Sequence, residues 1–185
     1  DFIDNLNAEH LTNNIDYVNI GILISFYTGV RIGELCALKF SDISFETNTM
    51  HIDKTMQRIQ NFKGDKNKTD VIISSPKSEY SIREIPVPQF IIDLIIKNDL
   101  YRRDAYLLTG EVARFIEPRT LENKFNKIAS ICNIENVTFH MIRHTFASNC
   151  IEAGVDVKSL SEILGHSSVN ITLNRYVHSS MQIKR

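Results

Sequence analysis

The sequence predicts a mostly helical α+β domain with a small three-stranded antiparallel sheet inserted after the second helix. Apolar residues recur at helical spacing between capping signals near both ends of the chain, whereas residues 43–85 hold short, partly alternating apolar segments. The chain has 185 residues, 43% apolar and 23% charged, which suits one well-buried core and disfavours a disordered or coiled-coil protein. We therefore expect residues 1–185 to form a single domain.

Capping residues delimit the first two helices. Asp16 is a suitable N-cap for an apolar helix over Tyr17–Tyr27, and Thr28-Gly29 is a typical helix end. A second helix fits Arg31–Leu38, because its apolar residues recur at helical spacing.

The middle of the chain changes from helical spacing to short strand-like segments. These segments are Ile43–Phe45, Met50–Ile52, Met56–Ile59, Val71–Ile73 and Ile82–Ile85. Between the third and fourth segments, residues 61–70 are polar, basic and contain a glycine, which is typical of a hairpin tip.

The rest of the chain returns to helical spacing. Proline, threonine and aspartate mark helix starts, and glycine marks helix ends. The predicted elements are a helix over Pro88–Leu100, a short strand over Ala105–Leu108, a helix over Pro118–Cys132, a helix over His140–Glu152 after an N-cap at Thr138, a helix over Val157–Leu164 between Asp156 and Gly165, and a last helix from Asn170.

The overall charge is close to zero, with 21 Lys and Arg against 22 Asp and Glu. Nucleic-acid-binding domains are usually basic as a whole, so this balance at first argues against DNA. Residues 54–83, however, hold seven bases against three acids. A local positive surface can bind phosphate whatever the total charge, so the net charge excludes little.

Two other classes of protein fit the sequence poorly. No apolar run approaches the roughly 20 residues that span a bilayer, which excludes a membrane-spanning protein. The three cysteines are widely spaced and form no C-x-x-C pair, so we expect free thiols in a reducing cytoplasm.

Four short segments carry residues suited to anion chemistry. Arg31 follows a tight turn at a helix start, where an anion is favoured. His140 and Arg143 share one helical face, and His166 follows a helix-ending glycine, where the carbonyl end favours a protonated imidazole. Tyr176 lies in a polar C-terminal segment.

Taken singly, each of these residues has an ordinary explanation. An arginine near a turn is usually a surface residue, a histidine after a helix is usually a cap, and a tyrosine is usually half-buried with its hydroxyl in water. His140 and His144 have the spacing of a zinc-binding H-x-x-x-H pair, but Met141 stands where that motif has glutamate, so zinc is disfavoured.

Together and in order, these residues resemble the signature of the tyrosine recombinases, the phage-type integrases. TGVRIGEL around Arg31 is similar to the family's first arginine box, and GVDVKSLSEILGHSSVNITLNRYVH is similar to its C-terminal box. The similarity extends from about residue 17 to residue 178, and it is strongest to integrases of conjugative transposons and of temperate phages of Gram-positive bacteria. It implies the catalytic-domain fold of that family.

The resemblance implies site-specific DNA recombination by transesterification. Tyr176 would attack a DNA phosphate to form a 3′-phosphotyrosyl link, and a Holliday junction would follow. Arg31 and Arg143 would bind the phosphate oxygens, His166 would hydrogen-bond the phosphate, and His140 would assist proton transfer. The resemblance implies no metal and no cofactor.

A lysine of the basic hairpin would protonate the leaving 5′-oxygen. We assign this role to Lys77, although three other lysines lie in the same hairpin. Those lysines are expected to contact DNA, as is the arginine before the nucleophile; together they are Lys63, Lys66, Lys68 and Arg175. Glu34 and His144 would support the site without reacting.

The resemblance also predicts partners. These are double-stranded DNA attachment sites, three further copies of the chain in a homotetramer on DNA, and an accessory excision factor, in the cytoplasm at the nucleoid of a bacterium and with no membrane association. The N-terminal core-binding and arm-binding domains of the family are not found in this sequence. We therefore expect weak DNA binding by the chain alone.

Two alternatives remain open from the sequence. A type IB topoisomerase uses a similar set of residues to nick and reseal one strand. A non-catalytic helix-turn-helix module would explain residues 157–176, but it would leave Arg31, Lys77 and His140 without a role.

Overall fold

The computed structural model describes residues 16–60, 69–76 and 78–174. They fold as expected into an α+β domain with a helical majority. In chain order the elements are α1 (Tyr17–Thr28), α2 (Ile32–Ala37), β1 (Ile43–Ser44), β2 (Thr49–Ile52), β3 (Thr55–Gln60), β4 (Thr69–Ser74), β5 (Arg83–Pro86), α3 (Gln89–Lys97), α4 (Pro118–Ile131), α5 (Phe139–Glu152), α6 (Val157–Leu164) and α7 (Val169–Thr172).

The helix ends follow the predicted capping chemistry. The Asp16 carboxylate accepts the backbone N–H of Asn19 at 2.7 Å, which satisfies a donor at the start of α1. Gly29 ends α1 at φ +64°, a conformation that costs a side-chain-bearing residue energy. Asp156 caps α6 in the same way as Asp16 caps α1, and Gly165 ends α6 at φ +63°.

The strands form two antiparallel sheets. The predicted three-stranded sheet is confirmed and has the order β1-β2-β5, with Met50 paired to both Ile43 and Ile85. Strands β3 and β4 form a separate pair in which Met56 lies opposite Ile73. All five predicted segments are therefore strands, and two of them form a separate antiparallel pair.

The core is built around α1, whose apolar residues are buried on every side of the helix. Helices α5 and α3 pack against it, and α2 packs against both α1 and β3. Cys36 of α2 is a buried free thiol, and burial raises its pKa above the ordinary range. Cys132 and Cys150 are free and half-buried.

Some predicted elements differ from the structure. The helix predicted over Pro88–Leu100 ends earlier, at Lys97. Ala105–Leu108 is not a strand, because the ladder is reduced to one bridge between Lys39 and Tyr106 before the chain turns at Gly110. The last helix begins at Val169 rather than Asn170, because the Ser168 side chain accepts the Asn170 N–H and is the N-cap. Within the described residues no helix is long and apolar enough to cross a membrane.

Alanine substitutions at two glycines test the packing around the end of α1. Gly29 and Gly154 both have positive φ, but a Cβ on Gly29 would lie 2.5 Å from a ring carbon of Phe146, whereas a Cβ on Gly154 meets nothing within 4 Å. We expect Gly154→Ala to lower the free energy of unfolding by about 1–2 kcal/mol, from backbone strain alone. Gly29→Ala should cost roughly 2–4 kcal/mol, because overpacking adds to that strain. Urea unfolding measures both, and equal losses would contradict the packing described here.

Candidate active site

The carboxyl end of α6 is the centre of the candidate site. The carbonyls of Ser161 and Glu162 accept backbone hydrogen bonds from the turn that ends the helix. Gly165 N–H donates to Glu162 O, and His166 N–H donates to Ser161 O. The next three carbonyls accept hydrogen bonds from three different arginines. Arg83 Nε donates to Ile163 O at 2.6 Å, Arg143 Nη2 to Leu164 O at 2.5 Å, and Arg31 Nη2 to Gly165 O at 2.9 Å.

These contacts bring together side chains from distant parts of the chain. Arg31 is the N-cap of α2, Arg83 is the first residue of β5, and Arg143 lies inside α5. The unpaired carbonyls at a helix end carry partial negative charge, which attracts cations. Three successive carbonyls therefore hold three guanidinium groups next to one another.

Glu34 is the anion inside this arginine cluster. One carboxylate oxygen accepts from Arg31 Nη1 at 2.7 Å and Arg83 Nη1 at 3.2 Å, and the other accepts from Arg83 Nη2 at 2.9 Å and the Arg31 backbone N–H at 3.1 Å. Four hydrogen bonds fill the accepting capacity of a carboxylate. Burial alone would raise the pKa of Glu34, but the hydrogen bonds and charges of Arg83, followed by those of Arg31, lower that pKa below its ordinary value.

The cluster carries more positive than negative charge. Three guanidinium groups against one carboxylate give Arg31, Arg83, Arg143 and Glu34 a combined charge of +2. The side chains differ in access to solvent, because that of Arg31 is 36% exposed, that of Arg83 is 7% exposed and Arg143 is 3% exposed. A partly exposed, positively charged group of planar donors suits an oxyanion such as phosphate.

Arg143 connects α1, α6 and His166. Its Nη1 donates to Gly29 O at 2.7 Å, and its Nη2 lies 3.1 Å from His166 Nε2. The other ring nitrogen, Nδ1, lies 2.8 Å from the buried hydroxyl of Thr172, which can donate or accept a hydrogen bond. His166 lies beside the carboxyl end of α6 as expected, but Arg143 is the side chain that donates to the Leu164 carbonyl, and the protonated state of His166 stays a prediction.

The two other histidines lie on the first half of α5. The rings of His140 and His144 meet edge to face, with centroids 4.6 Å apart. His140 is exposed and His144 is half-buried. In the ranges 16–60, 69–76 and 78–174, no group of three potential metal-ligating side chains includes them.

Six of the predicted residues lie outside the described residues: Lys63, Lys66, Lys68, Lys77, Arg175 and Tyr176. The residues on both sides of Lys77 are described, and before Tyr176 the described chain ends at Asn174. Lys77 is followed directly by Ser78, and Tyr176 comes four positions after Thr172. The structure therefore brings together Arg31, Glu34, Arg143 and His166, and it leaves the positions of the nucleophile and the lysine untested.

Arg83 is the site residue that the sequence analysis missed, since it counted only as one base of a basic segment. The signal was the strand alternation. Arg83 precedes Ile85 by two positions in β5, so both side chains lie on the same face of the sheet, and Ile85 is fully buried. A charged residue on the buried face of a strand requires a buried partner, which here is Glu34.

Comparison with known proteins identifies the family of the chain. The model of the phage integrase family matches residues 2–182. The chain belongs to this family. A XerC-like tyrosine recombinase from Caldanaerobacter subterraneus is 33% identical over 173 residues, which cover 84% of the chain and 44% of that protein. The transposase of transposon Tn916 from Enterococcus faecalis is 27% identical over 86% of the chain and 42% of the transposase.

Solved structures of the family share the fold. The Tn1549 transposon integrase, in complex with a circular-intermediate DNA, superposes with a TM-score of 0.74 at 21% identity, over 100% of the chain and 63% of the integrase chain. The catalytic domain of bacteriophage HP1 integrase gives a TM-score of 0.60 at 25% identity, over 96% of the chain and 83% of that domain.

Two further points follow from these relatives. The matching proteins are recombinases, transposases and integrases, so the topoisomerase and helix-turn-helix alternatives are not favoured. The chain spans less than half the length of the two curated relatives described above.

Replacement of Glu34 by glutamine tests the electrostatics of the cluster. Because the folded-state pKa of Glu34 is lowered, its ionised form contributes stability above its ordinary pKa of 4.5, and this contribution is lost as the pH falls through the lowered value. At pH 7 we expect Glu34→Gln to lower the free energy of unfolding by roughly 2–4 kcal/mol, since the buried guanidinium of Arg83 and the partly exposed guanidinium of Arg31 lose their counter-ion.

Urea unfolding at pH values from 7 to 3 measures the difference between the wild type and Glu34→Gln. That difference should shrink at the acidic end. Glu162→Gln, an exposed glutamate of α6, is the matched control and should behave like the wild type at every pH. A pH-independent cost of Glu34→Gln would contradict the ionised cluster.

Proposed function

We propose that the chain is the catalytic domain of a site-specific DNA recombinase that integrates and excises a mobile element. The observation that carries the proposal is the arginine cluster, with its charge of +2, on the last carbonyls of α6. A DNA phosphodiester is an anion whose non-bridging oxygens suit planar, permanently charged donors. Family membership supports the same reaction.

Arg31 and Arg143 are proposed to bind the scissile phosphate. They donate to the adjacent carbonyls of Gly165 and Leu164, so their guanidinium groups are neighbours and are held before DNA arrives. Donors held in place stabilise the negative charge that develops on the phosphate oxygens in the transition state. His166 lies beside Arg143 and is proposed to hydrogen-bond the same phosphate.

Tyr176 is the proposed nucleophile. Its oxygen forms a bond to phosphorus as the bond from phosphorus to the 5′-oxygen breaks, which leaves a 3′-phosphotyrosyl link. Thr172 hydrogen-bonds His166, and four residues of fully extended chain span at most about 14 Å, so the short distance in sequence from Thr172 to Tyr176 supports this assignment. A phenol has an ordinary pKa near 10 and needs help to lose its proton, a role proposed for His140.

Lys77 is the proposed general acid that gives a proton to the leaving 5′-oxygen. It directly precedes the described segment that begins at Ser78 and leads through a turn to Arg83 of β5. Since Arg83 is bonded to α6 and to Glu34, the chain next to Lys77 is anchored at the arginine cluster. Lys63, Lys66, Lys68 and Arg175 are proposed to contact the DNA backbone.

The phosphotyrosyl link retains the energy of the phosphodiester, so a 5′-hydroxyl from another strand can attack it and release Tyr176. We propose that four protomers on two attachment sites perform this exchange twice through a Holliday junction. We also propose that an accessory factor selects excision, that the protein acts in the cytoplasm at the nucleoid, and that DNA-binding domains beyond this catalytic domain close around the duplex.

Covalent capture of DNA tests the proposed reaction. The full-length protein is incubated with a pool of tagged, nicked duplexes of randomised central sequence, in which cleavage releases a short strand and prevents religation. We expect a protein–DNA adduct that survives denaturation, and we expect Tyr176→Phe to abolish it, because the phenol oxygen forms the bond. An unchanged adduct in Tyr176→Phe would contradict the assignment of Tyr176 as the nucleophile. If the wild-type protein forms no adduct, the proposed function is contradicted.

A modified leaving group tests the general acid. Sulfur leaves as a thiolate without being protonated, so a duplex with a 5′-bridging phosphorothioate bypasses the acid. We expect Lys77→Ala to cleave the ordinary captured duplex roughly 10²–10⁴-fold more slowly and to approach the wild-type rate with the sulfur substrate. Lys63→Ala, Lys66→Ala and Lys68→Ala are the controls, and rescue of one of them instead of Lys77→Ala would move the role to that lysine.

A further inference from the structure

All three guanidinium nitrogens of Arg83 donate hydrogen bonds within the protein. Nε donates to Ile163 O, Nη1 to Ser81 O and Glu34, and Nη2 to the other oxygen of Glu34. Because Nε and both terminal nitrogens already donate to protein acceptors, we expect Arg83 not to bind substrate itself. Its effect on the reaction must pass through the groups that it contacts.

The group that matters is Glu34, which Arg83 shares with Arg31. The carboxylate lies 2.7 Å from Arg31 Nη1 and 2.9 Å from Arg83 Nη2, so its single negative charge is divided between two guanidinium groups. Without Arg83, Glu34 and Arg31 would form a neutral pair, and the most exposed arginine of the cluster would offer little net charge to an anion.

We infer that Arg83 is a positioning residue that neutralises Glu34 and thereby leaves the positive charge of Arg31 available to the scissile phosphate. The inference rests on the proposed function and extends it to a residue that does not touch DNA. In terms of charge, the wild-type cluster carries +2, Arg83→Met would carry +1, and Arg83→Met combined with Glu34→Gln would again carry +2.

Changing the charge of the substrate distinguishes an electrostatic role of Arg83 from a purely structural one, because a structural defect would slow the cleavage of charged and neutral substrates equally. A methylphosphonate replaces one charged phosphate oxygen by a neutral methyl group, so its cleavage depends less on positive charge in the site. We expect Arg83→Met to cleave the captured phosphate duplex about 10–100-fold more slowly than the wild type, and its deficit to shrink at least about tenfold on a matched methylphosphonate duplex.

Two further variants keep the test independent of folding. Arg83→Lys retains the charge and loses the planar fork, so it should cleave the phosphate duplex within about tenfold of the wild type. The double variant Arg83→Met with Glu34→Gln should recover most of the rate lost in Arg83→Met. Arg102→Met, which removes an exposed guanidinium paired with Asp99, is the charge-matched control and should retain wild-type rates.

The measurement is the single-turnover rate of adduct formation for each protein on each duplex, with thermal unfolding recorded for every variant. Equal deficits of Arg83→Met on phosphate and methylphosphonate would overturn the inference, as would an Arg83→Lys rate as low as that of Arg83→Met. Rescue of Arg83→Met by a 5′-bridging phosphorothioate alone would also overturn it, because Arg83 would then act through the Ser81 turn and Lys77.

The wild-type protein separates this inference from the function on which it rests. A wild-type adduct together with equal deficits on both substrates would overturn only the role of Arg83. Absence of any wild-type adduct would overturn the proposed recombinase activity and this inference with it.

Discussion

The capture of the last carbonyls of α6 by three arginines is the interaction on which the rest of the candidate site depends. A helix end exposes carbonyls that need donors, and guanidinium groups need acceptors as soon as they leave water. Here the guanidinium groups donate to the helix-end carbonyls, so one turn of backbone fixes three side chains from three separate elements. The same turn places His166 directly after Gly165, beside Arg143.

The cluster is stable only as a unit. Arg143, Arg83 and Glu34 are almost entirely buried, and a buried charge that loses its partner is strongly destabilising. Within the described residues, Glu34 is the carboxylate that pairs with both Arg31 and Arg83, and both arginines also donate to backbone carbonyls at the end of α6. The α2 helix, the β1-β2-β5 sheet and α6 therefore stabilise one another at this point, and the fold and the phosphate site share the same contacts.

Local chemistry made most of the fold predictable. Asp16, Gly29, Asp156 and Gly165 act through neighbours in the chain, so their capping roles could be inferred without a structure. The pairing of β2 with β5 could not, because it depends on contacts between residues more than 30 positions apart. The prediction of a strand at residues 105–108 was wrong for a similar reason. A strand there needs several paired residues on a neighbouring segment, and the structure has one bridge.

The residues of the candidate site also differ in whether they could be predicted from the sequence. Arg31, Arg143 and His166 could be recognised because each lies in a short motif that resembles the family. Arg83 lies in no such motif, and its role arises only when β5 meets Glu34 across 49 positions of sequence. A single helix end could not reveal that Arg143, from α5, donates to the Leu164 carbonyl beside His166.

The long sequence separations within the cluster also affect how the protein is made. Arg31 reaches its carbonyl 134 positions later, and Arg143 reaches back 114 positions to Gly29. During synthesis the ribosome releases the N-terminal part first, so a nascent chain that ends before α6 contains arginines and no helix end to hold them. A chain interrupted before this point therefore has no assembled phosphate site, and an enzyme proposed to cut DNA becomes competent only after α6 has been synthesised.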